Sequence, residues 1–244
     1  MTHKMAVIGT LLISFSGGNY LIVGGIVNGA SNRLIEVRSY SIDSFKQLPS
    51  TREGSVGAMF GNNPILCGGS DEISWFDSCI SYENHQWKQS HTLNEKRLDA
   101  AGVQINPTTL WILGGYSDTS SYSDSTEFII EGKITGIPGK KLPYPLIAMC
   151  IVKLSDTEIF VIGGQDGNYD YRNEVWIYNP LNGFSRNQGP SLETGRAYHS
   201  CSTWDDGKKT VIIVVGGFNG ALLDSIEIYD PSDNTWHSGK QIPT

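Results

Sequence analysis

The chain has 244 residues, 39% of them hydrophobic and only 18% charged, with 28 glycines; it is too apolar for a disordered chain and too charge-poor for a long solvated helix. A formal net charge of -7, with only 18 Lys and Arg, excludes a general nucleic-acid surface, which needs a dense positive field. The one candidate membrane or targeting segment, residues 5–15, is too short to span a bilayer, so no membrane insertion is expected.

That segment opens the first of five predicted modules. Residues 9–13 align without a gap on residues 148–152 when each stretch is followed to its next diglycine. The segment therefore reads as a folded strand; the alternative, a signal peptide over residues 1–16, implies secretion. An apolar run at residues 20–23 leads to Gly24-Gly25, a polar loop, a strand predicted over 35–40 and the bulky Phe45. The second module repeats the order: strand 55–60, run 64–67, Gly68-Gly69, strand 78–82, Trp87. In the third, strand 100–104, run 110–113, Gly114-Gly115 and strand 126–130 are followed by Gly132-Lys133-Ile134 where the others have a turn and an aromatic. Its outer strand is predicted to be irregular, with Ile134 in the bulky position. The fourth reads strand 147–152, run 159–162, Gly163-Gly164, strand 174–178, Phe184, and the fifth strand 198–202, run 211–215, Gly216-Gly217, strand 225–229, Trp236.

The diglycines recur at intervals of 44, 46, 49 and 53 residues, the spacing of propeller blades and too long for most helical repeats. Each closes a β-branched or aromatic-rich run that reads as a strand buried on both faces. Glycine there lets a neighbouring backbone approach closely and lets the chain leave at dihedrals that a Cβ resists. Small residues such as Gly57-Ala58 and Ala100-Ala101-Gly102 suit the preceding strand to the crowded axis of a propeller. The bulky residue after the third strand reads as an outer-strand side chain folded over the sheet.

Hydrophobic-Gly-Gly, then a strand such as Glu174-Val175-Trp176-Ile177-Tyr178, then Trp or Phe, resembles the kelch repeat. The resemblance covers essentially the whole chain. It implies an all-β, kelch-type β-propeller of four-stranded antiparallel blades in a single domain, 1–244, with blades near 5–50, 51–95, 96–143, 144–192 and 193–244. Kelch rings usually have six or seven blades; five repeats imply either a closed five-bladed ring or a fragment of a larger one. Most kelch domains are protein-interaction platforms, so a protein or peptide partner and no cofactor are expected, and the reading leans away from an enzyme. Two other readings stand beside it: a sugar-binding or sialic-acid-epimerase-like channel site, and a secreted structural or adhesion propeller.

Antiparallel order brings the second-to-third loops and the inter-module loops to one face. There the candidate partner-binding residues are Arg33, Trp75, Tyr122, Tyr169, Arg172 and Phe218, since aromatics on rigid mounts give contact area at low ordering cost. Half of the loop aromatics are expected only to cover blade edges. Arg52, Arg97 and Arg196 occupy equivalent positions before first strands and are assigned to structure, whereas no repeat rule demands Arg33 or Arg172. Asp71, Asp118, Asp124, Asp166 and Asp170 lie beside them. The five histidines have no zinc spacing and no calcium-loop pattern occurs, so no metal is expected. Cys67 and Cys79 fall in adjacent strands and form a possible disulfide; Cys150 and Cys201 read as small buried thiols. The absence of an Asn-x-Ser/Thr sequon favours a cytoplasmic location.

Overall fold

The computed structural model describes residues 47–241 apart from 72, 120 and 206, together with the backbone of six short strands between Val7 and Arg38. Arg33 and Phe45 lie outside the described residues. Of residues 1–16, Val7–Ile8 and Leu11–Ser14 are strands; Leu11–Ser14 pairs antiparallel with Tyr20–Val23, which pairs in turn with Ile35–Arg38. The fold is all-β.

Four antiparallel sheets of four strands follow, one per module, each laid down in chain order from first strand to fourth. The second is Val56–Phe60, Asn63–Cys67, Ser78–Glu83 and Gln86–Thr92. The third is Ala101–Asn106, Thr109–Leu113, Thr126–Ile130 and Ile137–Pro138. The fourth is Cys150–Ser155, Glu158–Ile162, Val175–Asn179 and Ser185–Gln188. The fifth is Ser200–Asp205, Thr210–Val215, Ile226–Asp230 and Thr235–Ser238. The chain forms two compact units, residues 1–121 with 125–139, and residues 122–124 with 140–244.

The second strands carry the core, as their composition predicts. Leu110, Trp111, Ile112 and Leu113 have no exposed surface, and Ile159 to Ile162 are equally buried. Alternate residues of these strands face opposite ways. In the first unit Ile65 and Cys67 meet Val56, Leu110, Ile112 and Ile129; in the second Phe160 and Ile162 meet Ile212, Val214 and Tyr229. The fifth module differs. Ile212 and Val214 are buried, but Ile213 is only half-buried, and with Ile228 and the exposed Trp204 it lines an apolar groove of about 410 Å³.

The first strand of the fourth module begins at Cys150, three residues later than its apolar pattern suggests, because Leu146–Ile147 pairs separately with Gln165–Asp166. Between the two, Ala148 has φ 50°, which no strand accommodates. Trp87 and Trp236 fold against Tyr82 and Tyr229 as expected, at ring-centre distances of 5.2 and 5.4 Å. Ile134 does not. It is 76% exposed and precedes a fourth strand of only two residues, because residues 134–136 bond instead to Thr92 of the second module.

Both cysteine pairs are disulfides. Cys67 and Cys79 are directly opposed across the second and third strands of one sheet, with Cα atoms 4.0 Å apart. Cys150 and Cys201 join the first strands of the fourth and fifth modules, 5.9 Å apart. The reading of Cys150 and Cys201 as free thiols is therefore corrected: the two strands run side by side and bring the residues to bonding distance. The cytoplasmic expectation falls with it, since two disulfides indicate an oxidising, extracellular or secretory environment. The sequon argument failed because lacking a glycosylation site does not bear on redox state.

Candidate functional site

The loop face is built on a joint that recurs in three modules. Arg97 donates from Nη1 to the carbonyls of Gly114 (2.6 Å) and Ser125 (3.3 Å), and from Nη2 to Ser125 Oγ (2.6 Å). Arg196 makes the same bonds to Gly216, Ser225 and Ser225 Oγ, and Arg52 to Gly68, Ser78 and Ser78 Oγ. Each guanidinium thus ties the first glycine of its own module to the start of the third strand. The backbone carbonyls of Arg97 and Arg196 face the preceding module, accepting from Gly69 N at 2.6 Å and from Gly164 N at 2.8 Å. A Cβ on Gly68 or Gly163 would lie 2.6 Å from those carbonyls, and both glycines have positive φ. The diglycine and the arginine are two halves of one inter-module contact.

In two modules the joint includes a buried ion pair. Arg97 Nε lies 3.0 Å from Glu127, and Arg196 Nη2 lies 2.6 Å from Glu227. The second module has Ile80 in that place, and Arg52, without a carboxylate against it, is pushed down to about 10 by burial, opposed by Asp71 and Asp77. The fourth module has Leu146 where the arginine would be and Glu174 where the serine would be. Here Arg172 supplies the cation: it pairs with Glu174 through two nitrogens and with Asp166 at 3.3 Å, and stacks 4.9 Å from the centre of the Tyr144 ring. The sequence signal was available in the joint loss of arginine and serine from one repeat.

The aromatic candidates pair off. Trp75 meets Tyr116 edge to face at 5.8 Å in the first unit. In the second unit Tyr122 meets Tyr169 at 5.9 Å, and Tyr171 meets Phe218 at 5.8 Å. These last four form a connected stripe: Tyr122 OH donates to Gln165 Oε1 (3.0 Å), Gln165 Nε2 donates to the Tyr169 carbonyl (3.2 Å), and Gln165 bridges to Tyr171. Phe218 bridges in turn to Ala197 and Leu222. Acidic residues shape the loops that carry these aromatics. Asp166 Oδ1 accepts from the amides of Asn168 and Asp170, and Asp71 Oδ1 from those of Ile73 and Ser74, as turn-forming carboxylates do.

Two exposed positions on this face were not singled out from sequence. Tyr198, read as the start of a strand, stands before it at φ 55° with 49% of its surface exposed; Leu222 is 89% exposed. Tyr198 is the fourth of a series, Gly54, Asp99, Ala148 and Tyr198, all with positive φ. Asp99 N bonds the Gly54 carbonyl at 3.0 Å and Tyr198 N the Ala148 carbonyl at 2.9 Å. Glycine and aspartate at the first two positions are the trace of that conformation. Tyr169, 66% exposed, also has positive φ, 65°. Two exposed tyrosines are therefore held in backbone conformations that cost about 1–3 kcal/mol each and survive where the surroundings enforce them.

Among the described residues no group of three or more His, Cys, Asp and Glu side chains is placed to hold a metal, and no helix is long and apolar enough to cross a membrane. His199 is buried beside Gly163, with its pKa pushed down to about 3 by burial and then by the charge of Arg196.

Four-stranded sheets closed by diglycines and jointed by a repeated arginine define a repeat protein of the propeller type. The kelch motif matches residues 154–183 and 208–241, which identifies the fourth and fifth modules as kelch repeats. Two galactose oxidases, one from Gibberella zeae strain PH-1 and one from Gibberella zeae, are each 29% identical to it over 130 residues. That stretch is 51% of this chain and 17% of each relative, so the chain spans well under a fifth of the proteins it matches.

Proposed function

We propose that the chain is a recognition module of an oxidising compartment that binds a protein or peptide through its loop face. The observation that carries this reading is the stripe from Tyr122 through Tyr169 and Tyr171 to Phe218, flanked by the exposed Tyr198 and Leu222. All four of its aromatics are engaged edge to face, which fixes the mount; Tyr169 and Tyr198 also keep much of their surface exposed, and exposed area on a fixed mount is what makes interface anchors. Trp75 with Tyr116 extends the same kind of surface in the first unit. Arg33 is kept as a partner contact on sequence grounds, and Arg172 contributes through its exposed portion while anchored to Glu174. The finer fold reading belongs to the proposal too: five blades of a single domain, 1–244, closing as one ring. Small-angle scattering checks it, with a radius of gyration of about 18 Å for a compact chain of this length.

The binding test is selection from a phage-displayed random peptide library against the parent chain, followed by titration of the enriched peptides against Tyr169→Ser/Tyr198→Ser. Loss of binding with unchanged thermal unfolding supports the reading. Peptides that bind the double variant as well as the parent place recognition elsewhere. Kinship to galactose oxidases leaves an activity on sugars as the other class, but the repeat arginines that such a channel would employ are turned into the inter-module joints.

A further inference from the structure

The irregular outer strand of the third module leaves a cavity in the first unit, at the strand ends away from the diglycines. After Ile130 the chain rejoins its own sheet only at Ile137–Pro138. It crosses to the fourth strand of the second module, where Thr92 N donates to the Ile134 carbonyl (2.8 Å), Gly136 N donates to the Thr92 carbonyl (2.9 Å), and Thr135 runs parallel to Thr92. Closer to the first strands, the turns of the two modules are joined by Gly61 N donating to the Pro107 carbonyl at 2.7 Å. Between these two bridges lies a groove of about 650 Å³, within the size range of sites that enclose small ligands.

The lining combines apolar surface with polar groups and is balanced in charge. Lys88 and Lys133 offset Glu83 and Glu131, and the exposed amides of Asn62 and Gln89 offer both donors and acceptors. Phe60 gives the groove an apolar wall, braced edge to face by His91 at 5.3 Å. His91 is itself buried, burial lowers its pKa, so the ring is neutral at physiological pH, and its Nδ1 has no hydrogen-bond partner among the described residues.

An anion would find no net positive field here, and an apolar ligand would desolvate the amides and charges without replacing their hydrogen bonds. A polyhydroxylated ligand satisfies both conditions, because hydroxyls donate and accept while a ring's C–H face covers the aromatic wall. We propose that this groove binds a neutral oligosaccharide. The site is independent of the recognition face, and it exists because Gly132-Lys133-Ile134 stands where the other modules have a turn and an aromatic.

Saturation-transfer NMR and calorimetry on the full chain test it, with neutral hexose and N-acetylhexosamine trisaccharides as probes beside a sialylated trisaccharide and a neutral hexapeptide. Saturable binding of a neutral trisaccharide is expected, roughly tenfold weaker in Asn62→Ala/Gln89→Ala from the loss of two hydrogen bonds. Thermal unfolding of that variant should match the parent, and Tyr169→Ser/Tyr198→Ser should bind the sugar unchanged. No saturable binding to any neutral probe overturns the proposal. So does equal binding by the Asn62/Gln89 variant, or preference for the sialylated probe or the peptide.

Discussion

Replacing Arg196 with methionine tests whether the repeat arginine is a joint or a ligand contact, because the modules differ in what its removal leaves behind. Arg196 has no exposed surface and bonds three carbonyls, a hydroxyl and Glu227. Arg196→Met strands the buried Glu227, and breaking a buried pair from one side costs about 3–5 kcal/mol. The lower end applies, since Glu227 still accepts from the amides of Glu193 and Thr194. Arg52→Met removes equivalent bonds to Gly68 and Ser78 but leaves Ile80, not a carboxylate, beneath it; about 1–3 kcal/mol is expected. For a chain of this size each kcal/mol moves Tm by about 2–4 °C, so the two variants separate by several degrees in differential scanning calorimetry. Arg196→Met/Glu227→Ile, which removes the stranded carboxylate and puts isoleucine where the second module has Ile80, should recover part of the loss. If Arg52→Met is as destabilised as Arg196→Met, or the double variant is no better than the single, the joint does not work through the buried carboxylate.

Acidification should destabilise the fold through His199. It is held neutral down to about pH 3 while the unfolded chain protonates near 6.5, so the unfolded state binds the extra proton in between and stability falls with pH by up to about 1.4 kcal/mol per unit. His199→Gln should flatten that dependence in urea titrations at pH 7 and 4.5; an unchanged slope assigns the acid sensitivity to other groups. Removing the Cys150–Cys201 crosslink by Cys150→Ser/Cys201→Ser should cost about 4 kcal/mol, against about 3 kcal/mol for Cys67→Ser/Cys79→Ser, because it closes 51 residues rather than 12; the order of the two denaturation midpoints checks this. Tyr198→Gly should raise stability by roughly 1 kcal/mol by relieving its positive φ. Equal or lower Tm would show that the ring's packing outweighs the strain.

The repeat was legible because its physics is local. A β-branched run before two glycines specifies a buried strand and a close backbone approach, and in the second and fourth modules the approaching atom proved to be the carbonyl of the next module's arginine. The irregularity of the third module was legible too, since no aromatic follows its third strand. Its destination was not, because pairing between residues 134–136 and Thr92 is long-range and leaves no period in the sequence. Among the loop aromatics, sequence could count side chains but not tell which would be consumed in pairs. Two exposed tyrosines, Tyr169 and Tyr198, are marked by positive φ, and a tyrosine there contradicts local propensity. The Cys150–Cys201 crosslink escaped for a related reason: equivalent positions in successive modules were compared as a pattern rather than as neighbours in space.

Module identity and module function are divided between the two ends of each second strand. At the diglycine end the arginine joint leaves little freedom, because its carbonyl and its guanidinium contact different modules and both glycines have positive φ; Arg172 with Glu174 shows that even its loss in the fourth module is answered by another buried-side cation. At the opposite end the turns carry no such constraint. There a three-residue departure from the repeat, Gly132 to Ile134, could redirect a whole segment without disturbing the core strand Thr109–Leu113. New surfaces in this architecture therefore arise more readily from rerouted outer strands than from changes at the joint. The cavity beside Thr92 is the case in point: it follows a departure from the repeat in the outer strand, whereas Tyr198 keeps the positive φ that Gly54, Asp99 and Ala148 have at the same position and changes only the side chain.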